Sequence, residues 1–183
     1  MKIDKHGWLS GSAPVTRQLS PNQNDRPANK PVSLLVVHGI SLPPGQFGGQ
    51  YIENFFLNRL DPDQHPYFKS IAEQEVSSHL LIKRDGQVVQ FVSFQNRAWH
   101  AGISCFDQQE NCNDFSIGIE LEGTDQLAYE EVQYRQLTAV SRALMTAYPH
   151  ITADRIVGHS DIAPGRKTDP GPGFDWGYFR TLI

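Results

Sequence analysis

A chain of 183 residues, 39% hydrophobic and 20% charged, is long enough to bury one compact core without disulfides or a partner subunit. A formal net charge of −4 offers no basic footprint for a polyanion, and no segment approaches the roughly 20 consecutive apolar residues that a membrane span requires. Neither nucleic acid nor a membrane is therefore expected as a partner, and the chain is expected to act as a monomer.

The N-terminus, Met1-Lys2-Ile3-Asp4-Lys5-His6-Gly7-Trp8, turns polar without the apolar stretch of a secretory leader, which predicts a cytoplasmic location. Residues 9 to 32 are rich in Ser, Pro, Asn and Gln and lack periodicity, so residues 1–32 are expected to form an irregular arm within a single domain spanning 1–183. Ser33 to His38 is a short apolar run closed by a histidine, the pattern of a buried strand that delivers a polar side chain at its end. Aromatic and apolar residues at helical spacing predict a short helix over Tyr51 to Leu60, stopped by Asp61-Pro62.

His79 to Lys83 and Val88 to Phe94 are β-prone runs joined across Asp85-Gly86, a hairpin signal. The two cysteines, Cys105 and Cys112, lie in a polar stretch and would remain thiols in a reducing compartment. Phe115 to Leu121 alternates: Ile117, Ile119 and Leu121 face one side, whereas Ser116, Gly118, Glu120 and Glu122 face the other. Glu130 to Tyr148 carries an apolar stripe of Leu137, Val140, Leu144 and Tyr148 and ends at Pro149, the longest predicted helix. Arg155 to Gly158 reads as a last short strand, before a Pro- and Gly-punctuated loop and a short aromatic segment from Phe174 to Ile183. Strands and helices intermixed along one chain predict an α/β domain, a central sheet flanked by helices.

The loop Gly158-His159-Ser160-Asp161-Ile162-Ala163-Pro164-Gly165-Arg166-Lys167-Thr168-Asp169-Pro170 concentrates an imidazole, carboxylates and a cation on a backbone stiffened by prolines. With His38 it supplies two imidazoles and one carboxylate, the complement of a catalytic zinc that leaves its fourth position to water. Two neutral imidazoles and one carboxylate leave a dication with a net charge of about +1, so it stays electrophilic. Asp169 is preferred to Asp161 as the carboxylate ligand because it precedes Pro170, where the chain must be extended, whereas Asp161 suits a capping role. Hydrolysis at such an ion also needs a base; Glu120 is the candidate, with Glu122 on the same face as its rival. Lys167, two residues before Asp169, is placed to stabilise an oxyanion. His79 and His100 are rival ligands read as hydrogen-bonded wall residues, and Trp99 and His100 are candidates for lining a sugar-binding pocket.

Leu35-Val36-Val37-His38, Ser78-His79-Leu80-Leu81-Ile82, Arg97-Ala98-Trp99-His100-Ala101-Gly102, Ser116-Ile117-Gly118-Ile119-Glu120-Leu121-Glu122-Gly123 and the loop from Gly158 to Pro172 resemble the zinc-dependent N-acetylmuramoyl-L-alanine amidases. That family includes muropeptide-recycling enzymes, phage lysozyme-type amidases and peptidoglycan recognition proteins. Leu42-Pro43-Pro44-Gly45-Gln46-Phe47-Gly48-Gly49, Asn113-Asp114-Phe115 and Lys167-Thr168-Asp169-Pro170-Gly171-Pro172 are similar to the recycling branch, the AmpD family. The resemblance implies the amidase fold with a mixed sheet, Zn2+ on His38, His159 and Asp169, Glu120 as base and Lys167 at the oxyanion. It implies a 1,6-anhydro-N-acetylmuramyl-peptide as substrate, cut between N-acetylmuramic acid and L-alanine during cytoplasmic cell-wall recycling. The chain departs from this pattern at Gly39, where relatives carry asparagine, and near Glu75 and Asn111, where they carry arginines that hold peptide carboxylates. Retained chemistry with an altered peptide preference is therefore expected. The competing readings are a peptidoglycan-binding module without hydrolysis, disfavoured because all three candidate ligands are present, and a phage-type wall lysin.

Overall fold

The computed structural model describes residues 1–11 and 15–183. A six-stranded sheet holds the molecule together, built from β1 (Val15–Arg17), β2 (Leu34–Ile40), β3 (Leu80–Ile82), β4 (Val88–Gln90), β5 (Ser116–Glu122) and β6 (Ile156–Gly158) in the spatial order β6-β2-β5-β3-β4-β1. The pairs β6/β2, β2/β5, β5/β3 and β4/β1 are parallel and only β3/β4 is antiparallel, so the sheet is mixed. That antiparallel pair is the expected hairpin: Gly86 adopts φ +84 and the turn closes with Gly86 N–H donating to the Lys83 carbonyl.

The alternation in β5 sorts the two faces of the sheet. Ile117, Ile119 and Leu121 join Leu35, Val37, Leu80 and Ile82 in a core covered by helix Glu131–Ala147 through Leu137, Val140 and Leu144, and by helix Trp176–Leu182 through Phe179. The opposite face splits in two. Leu34, Val36, Phe115, Val157 and Ile162 form one cluster, and Leu81 and Val89 pack with Phe55 and Phe56 of helix Tyr51–Phe56 in another. His38, in phase with Leu34 and Val36, therefore emerges on the face away from the long helix.

Three expectations change in detail. The strand ending the first apolar run continues past His38 to Ile40, because β5 pairs with it over its whole length, from Ser116↔Leu34 to Glu122↔Ile40. The helix expected to reach Leu60 stops at Phe56, since Asn58 takes the left-handed conformation at φ 56 and Arg59 N–H turns back to the Asn54 carbonyl. Within residues 1–32, read as irregular, Lys2–Ile3 pairs with Leu9–Ser10, β1 edges the main sheet, and Gln23–Asp25 pairs with Asn96–Ala98. These strands are recruited by tertiary partners: the buried Gln90 side chain accepts from Leu9 N–H at 2.8 Å and donates to the Gly7 carbonyl at 2.9 Å. Among the described residues no helix is long and apolar enough to cross a membrane.

Arg26 fastens this segment to the sheet. Its guanidinium donates to the carbonyls of Asn113, Asp114 and Ser116 at 2.8–3.2 Å. Burial pulls its pKa down to about 10, so it sits in a poorly solvated place where its partners matter. Arg26→Ala should cost about 2–4 kcal/mol in urea-monitored unfolding, because three carbonyls lose their donor at once; a cost below 0.5 kcal/mol would refute the clamp.

Candidate active site

Strand register builds the site. Glu120 of β5 lies directly across from His38 of β2, and Gly158, the last residue of β6, pairs with Val37, so His159 follows onto the flank of His38. Three strands running the same way thus deliver three polar side chains to their common C-terminal edge, where open α/β sheets place their ligands. His159 opens a single helical turn, His159–Ile162, and the chain then loops back to bring in Asp169. Asp161 does not join the cluster: its Oδ2 accepts from Gly158 N–H at 2.7 Å, the expected capping role.

His38 Nδ1 lies 3.0 Å from His159 Nδ1 and 3.3 Å from Asp169 Oδ2, and His159 Nδ1 lies 3.2 Å from Asp169 Oδ2. Three donor atoms thus form a nearly equilateral triangle. Ligands at zinc distances of about 2.0–2.1 Å on a tetrahedron stand about 3.3 Å apart, so the triangle has the size such an ion requires. Both Nδ1 atoms and Asp169 Oδ2 converge on one point, where a cation would meet three lone pairs once each ring carries its proton on Nε2. His38, His159 and Asp169 are the group of described residues able to hold a metal ion.

The electrostatics agree with that donor set. Burial, reinforced by neighbouring His159, lowers the His38 pKa to about 4, which keeps the ring neutral and able to ligate. Burial works against ionisation of Asp169, but the His159 and His38 rings in contact with its Oδ2 outweigh it and hold the carboxyl far below its usual range. Glu120 goes the other way: burial first, then the charge of Asp169, raise its pKa well above the ordinary value. Its Oε1 is 4.0 Å from His38 Nδ1, and its buried Oε2 has no hydrogen-bond partner among the described residues.

Spacing alone did not separate the two glutamates of β5; their surroundings do. Glu122 Oε1 accepts from Gly48 N–H at 2.7 Å and Oε2 from Arg84 N–H at 3.0 Å, so both oxygens are committed to backbone. Glu120 instead opens into a cavity of about 480 Å3 that is also lined by Lys167, Asp169, Trp99 and His100. Lys167 is exposed and has no ion-pair partner among the described residues. Trp99 is pinned by its Nε1–H, which donates to Asn24 Oδ1 at 2.7 Å. His79 is fully buried and is not among the residues lining this cavity; its Nδ1 accepts from Gly118 N–H at 3.0 Å.

At the departures from the family pattern, Gly39 has a clear physical reason. A Cβ there would come within 2.3 Å of Tyr129 Oη, and that hydroxyl donates to the Pro170 carbonyl, next to Asp169, at 3.1 Å. Glu75 is exposed between Gln74 and Val76, which line the cavity, whereas Asn111 lines a separate one of about 370 Å3 together with Cys105 and Arg166. Sequence reasoning assigned no role to Tyr129, Arg26 or Ser116. Asn113 was within reach through the string Asn113-Asp114-Phe115: its Oδ1 accepts from both His100 and Ala101 N–H.

Residues 28–172 match the family model of N-acetylmuramoyl-L-alanine amidases. The chain is 58% identical over 183 residues to a 1,6-anhydro-N-acetylmuramyl-L-alanine amidase of Citrobacter freundii, covering 100% of this chain and 95% of the relative. A crystal structure of a selenomethionine AmpD derivative superimposes with a TM-score of 0.95 at 57% identity, covering 100% of this chain and 99% of that one. The Escherichia coli amidase AmiD, solved with anhydro-N-acetylmuramic acid-L-Ala-D-gamma-Glu-L-Lys, superimposes with a TM-score of 0.61 at 30% identity, covering 87% of this chain and 60% of that one.

The contrast between the two glutamates makes a stability prediction. Glu122→Ala should lower the unfolding free energy by about 2–4 kcal/mol, since two backbone N–H groups lose their acceptor. Glu120→Gln should leave it unchanged or raise it, because a buried carboxyl with one unpartnered oxygen is exchanged for a neutral amide. Urea titrations of the metal-free protein would detect a reversed order.

Proposed function

The chain belongs to the N-acetylmuramoyl-L-alanine amidase family, and from that footing we propose that it hydrolyses the amide between 1,6-anhydro-N-acetylmuramic acid and L-alanine in soluble muropeptides, as a zinc enzyme of cytoplasmic cell-wall recycling. The observation that carries this reading is the triangle of His38, His159 and Asp169 donors at the floor of the cavity, with the unpartnered oxygen of Glu120 beside it. Similarity along the full length to a relative named for that linkage supports the substrate class. The free thiols of Cys105 and Cys112 suit a reducing compartment.

His38, His159 and Asp169 would hold the zinc ion, which when bound supplies a Lewis acid that polarises the scissile carbonyl and brings the pKa of water toward neutrality. Glu120 takes the proton of the attacking water through its free oxygen and returns it to the leaving L-alanine amine. Burial raises its pKa above the ordinary carboxylate value, which makes it a stronger proton acceptor than an exposed glutamate. Lys167, at the cavity rim, faces the carbonyl oxygen as it gains negative charge and lowers the energy of the tetrahedral stage. Trp99, held by Asn24, offers a flat apolar face for the sugar ring, and the edge of His100 completes that wall. With Glu75 exposed beside the cavity and Asn111 outside it, the chain brings no arginine to the peptide at these positions, so its grip on stem-peptide carboxylates is weaker than in relatives that carry them.

Incubating the purified protein with an anhydromuramyl-peptide should release free peptide, followed by mass spectrometry, and chelation should abolish release until zinc is restored. Glu120→Ala should lower kcat by about 10²- to 10⁴-fold and Lys167→Ala by about 10²- to 10³-fold. Absence of release by the zinc-loaded protein would overturn the enzymatic reading, and full activity of Glu120→Ala would remove the assigned base.

A further inference from the structure

His100 is bound on both ring nitrogens. Its Nδ1 lies 2.9 Å from His38 Nε2, and its Nε2 lies 3.1 Å from Ser116 Oγ. The ring stands edge-on to His38, with centroids 5.0 Å apart and planes at 87°. Beneath it is Gly118, where a Cβ would come within 2.4 Å of His100 Cγ, so the ring rests directly on the β5 backbone. The next residue, Ala101, turns its carbonyl to His159 Nε2 at 3.2 Å, and Arg166 donates to the same oxygen at 2.7 Å. One side chain brackets both residues, as Asn113 Oδ1 accepts from His100 N–H at 3.0 Å and from Ala101 N–H at 2.8 Å.

A neutral imidazole carries one proton, and a nitrogen that binds a metal cannot carry it. The donor triangle uses Nδ1 of both His38 and His159, so both protons must reside on Nε2, and each Nε2 needs an acceptor. The acceptors present are adjacent residues of one segment: the His100 ring for His38 and the Ala101 carbonyl for His159. We infer that the His100–Ala101 segment, bracketed by Asn113, fixes the tautomer and aim of both candidate metal imidazoles, with His100 acting as a positioning residue for His38. The hydrogen bonds then run in one direction. His38 Nε2–H donates to His100 Nδ1, and His100 Nε2–H donates to Ser116 Oγ.

The inference rests on the reading of His38 as a metal ligand and is tested by zinc affinity instead of turnover. Competition against a chromophoric chelator measures Kd for the wild type, His100→Leu and His100→Asn. Leucine fills the volume without an acceptor, whereas asparagine places an amide oxygen near the position of Nδ1. His100→Leu should bind zinc about 10- to 100-fold more weakly than the wild type, and His100→Asn should recover most of that loss. The metal-free melting temperatures of the two variants serve as the folding control. Should His100→Leu fail to fold, Ser116→Ala, which deprives the far end of the chain of its acceptor, should still weaken zinc binding severalfold. A wild type that does not bind zinc would overturn the metal reading itself. Tight binding by the wild type, matched by His100→Leu or, if that variant does not fold, by Ser116→Ala, would overturn the positioning role alone. Equal losses in the leucine and asparagine variants would do the same, by showing that packing and not the acceptor is what matters.

Discussion

The parallel register between Leu34–Ile40 and Ser116–Glu122 is the constraint from which the site follows. It sets Glu120 opposite His38, and the neighbouring pairing of Gly158 with Val37 lets His159 arrive beside them. A slip of one residue would exchange the two faces of a strand, sending Glu120 into the apolar core beneath the long helix and Leu121 into the cavity. The apolar alternation that buries Ile117, Ile119 and Leu121 against Leu137, Val140 and Leu144 forbids that slip. Folding energy and site geometry are therefore controlled by the same residues, and the reactive edge needs no separate scaffold.

Within that frame, the two site carboxyls are driven apart by their surroundings. Asp169 lies against two imidazole rings and stays ionised in spite of burial, while Glu120, buried and facing the charge of Asp169, has its pKa raised. Burial raises both pKa values, so it is their neighbours that set two copies of the same functional group apart. Glu122 shows the third outcome, with both oxygens spent on backbone N–H groups, so it serves architecture.

Much of this was readable from the residues. Alternation assigned the faces of the Ser116–Glu122 strand, Asp85-Gly86 located the hairpin, and the loop from Gly158 onward pointed to His159 and Asp169, which the structure brings together with His38. What could not be read was whatever depends on contacts between distant segments. Glu120 and Glu122 share one face and differ only in that Gly48 and Arg84 approach the second. Tyr129 beneath Gly39, and Ser116 and Asn113 around His100, are joined to their partners only by the fold. The short strands of the first 32 residues were missed for the same reason, since their sequence shows little β periodicity and their partners supply the pairing.

The loop after the first long strand is fastened more tightly than a glycine-rich segment would suggest. Gly48 N–H is held by Glu122, and the Gly49 carbonyl accepts from Lys83, whose ammonium also meets the buried Glu53 at 2.9 Å. Ser41, Leu42, Pro44 and Gly45, which form one bank of the cavity, hang from these anchors. Those anchors tie the bank to strand Ser116–Glu122 and to the Lys83 turn, so its profile is set by the same sheet that builds the carboxylate and imidazole edge.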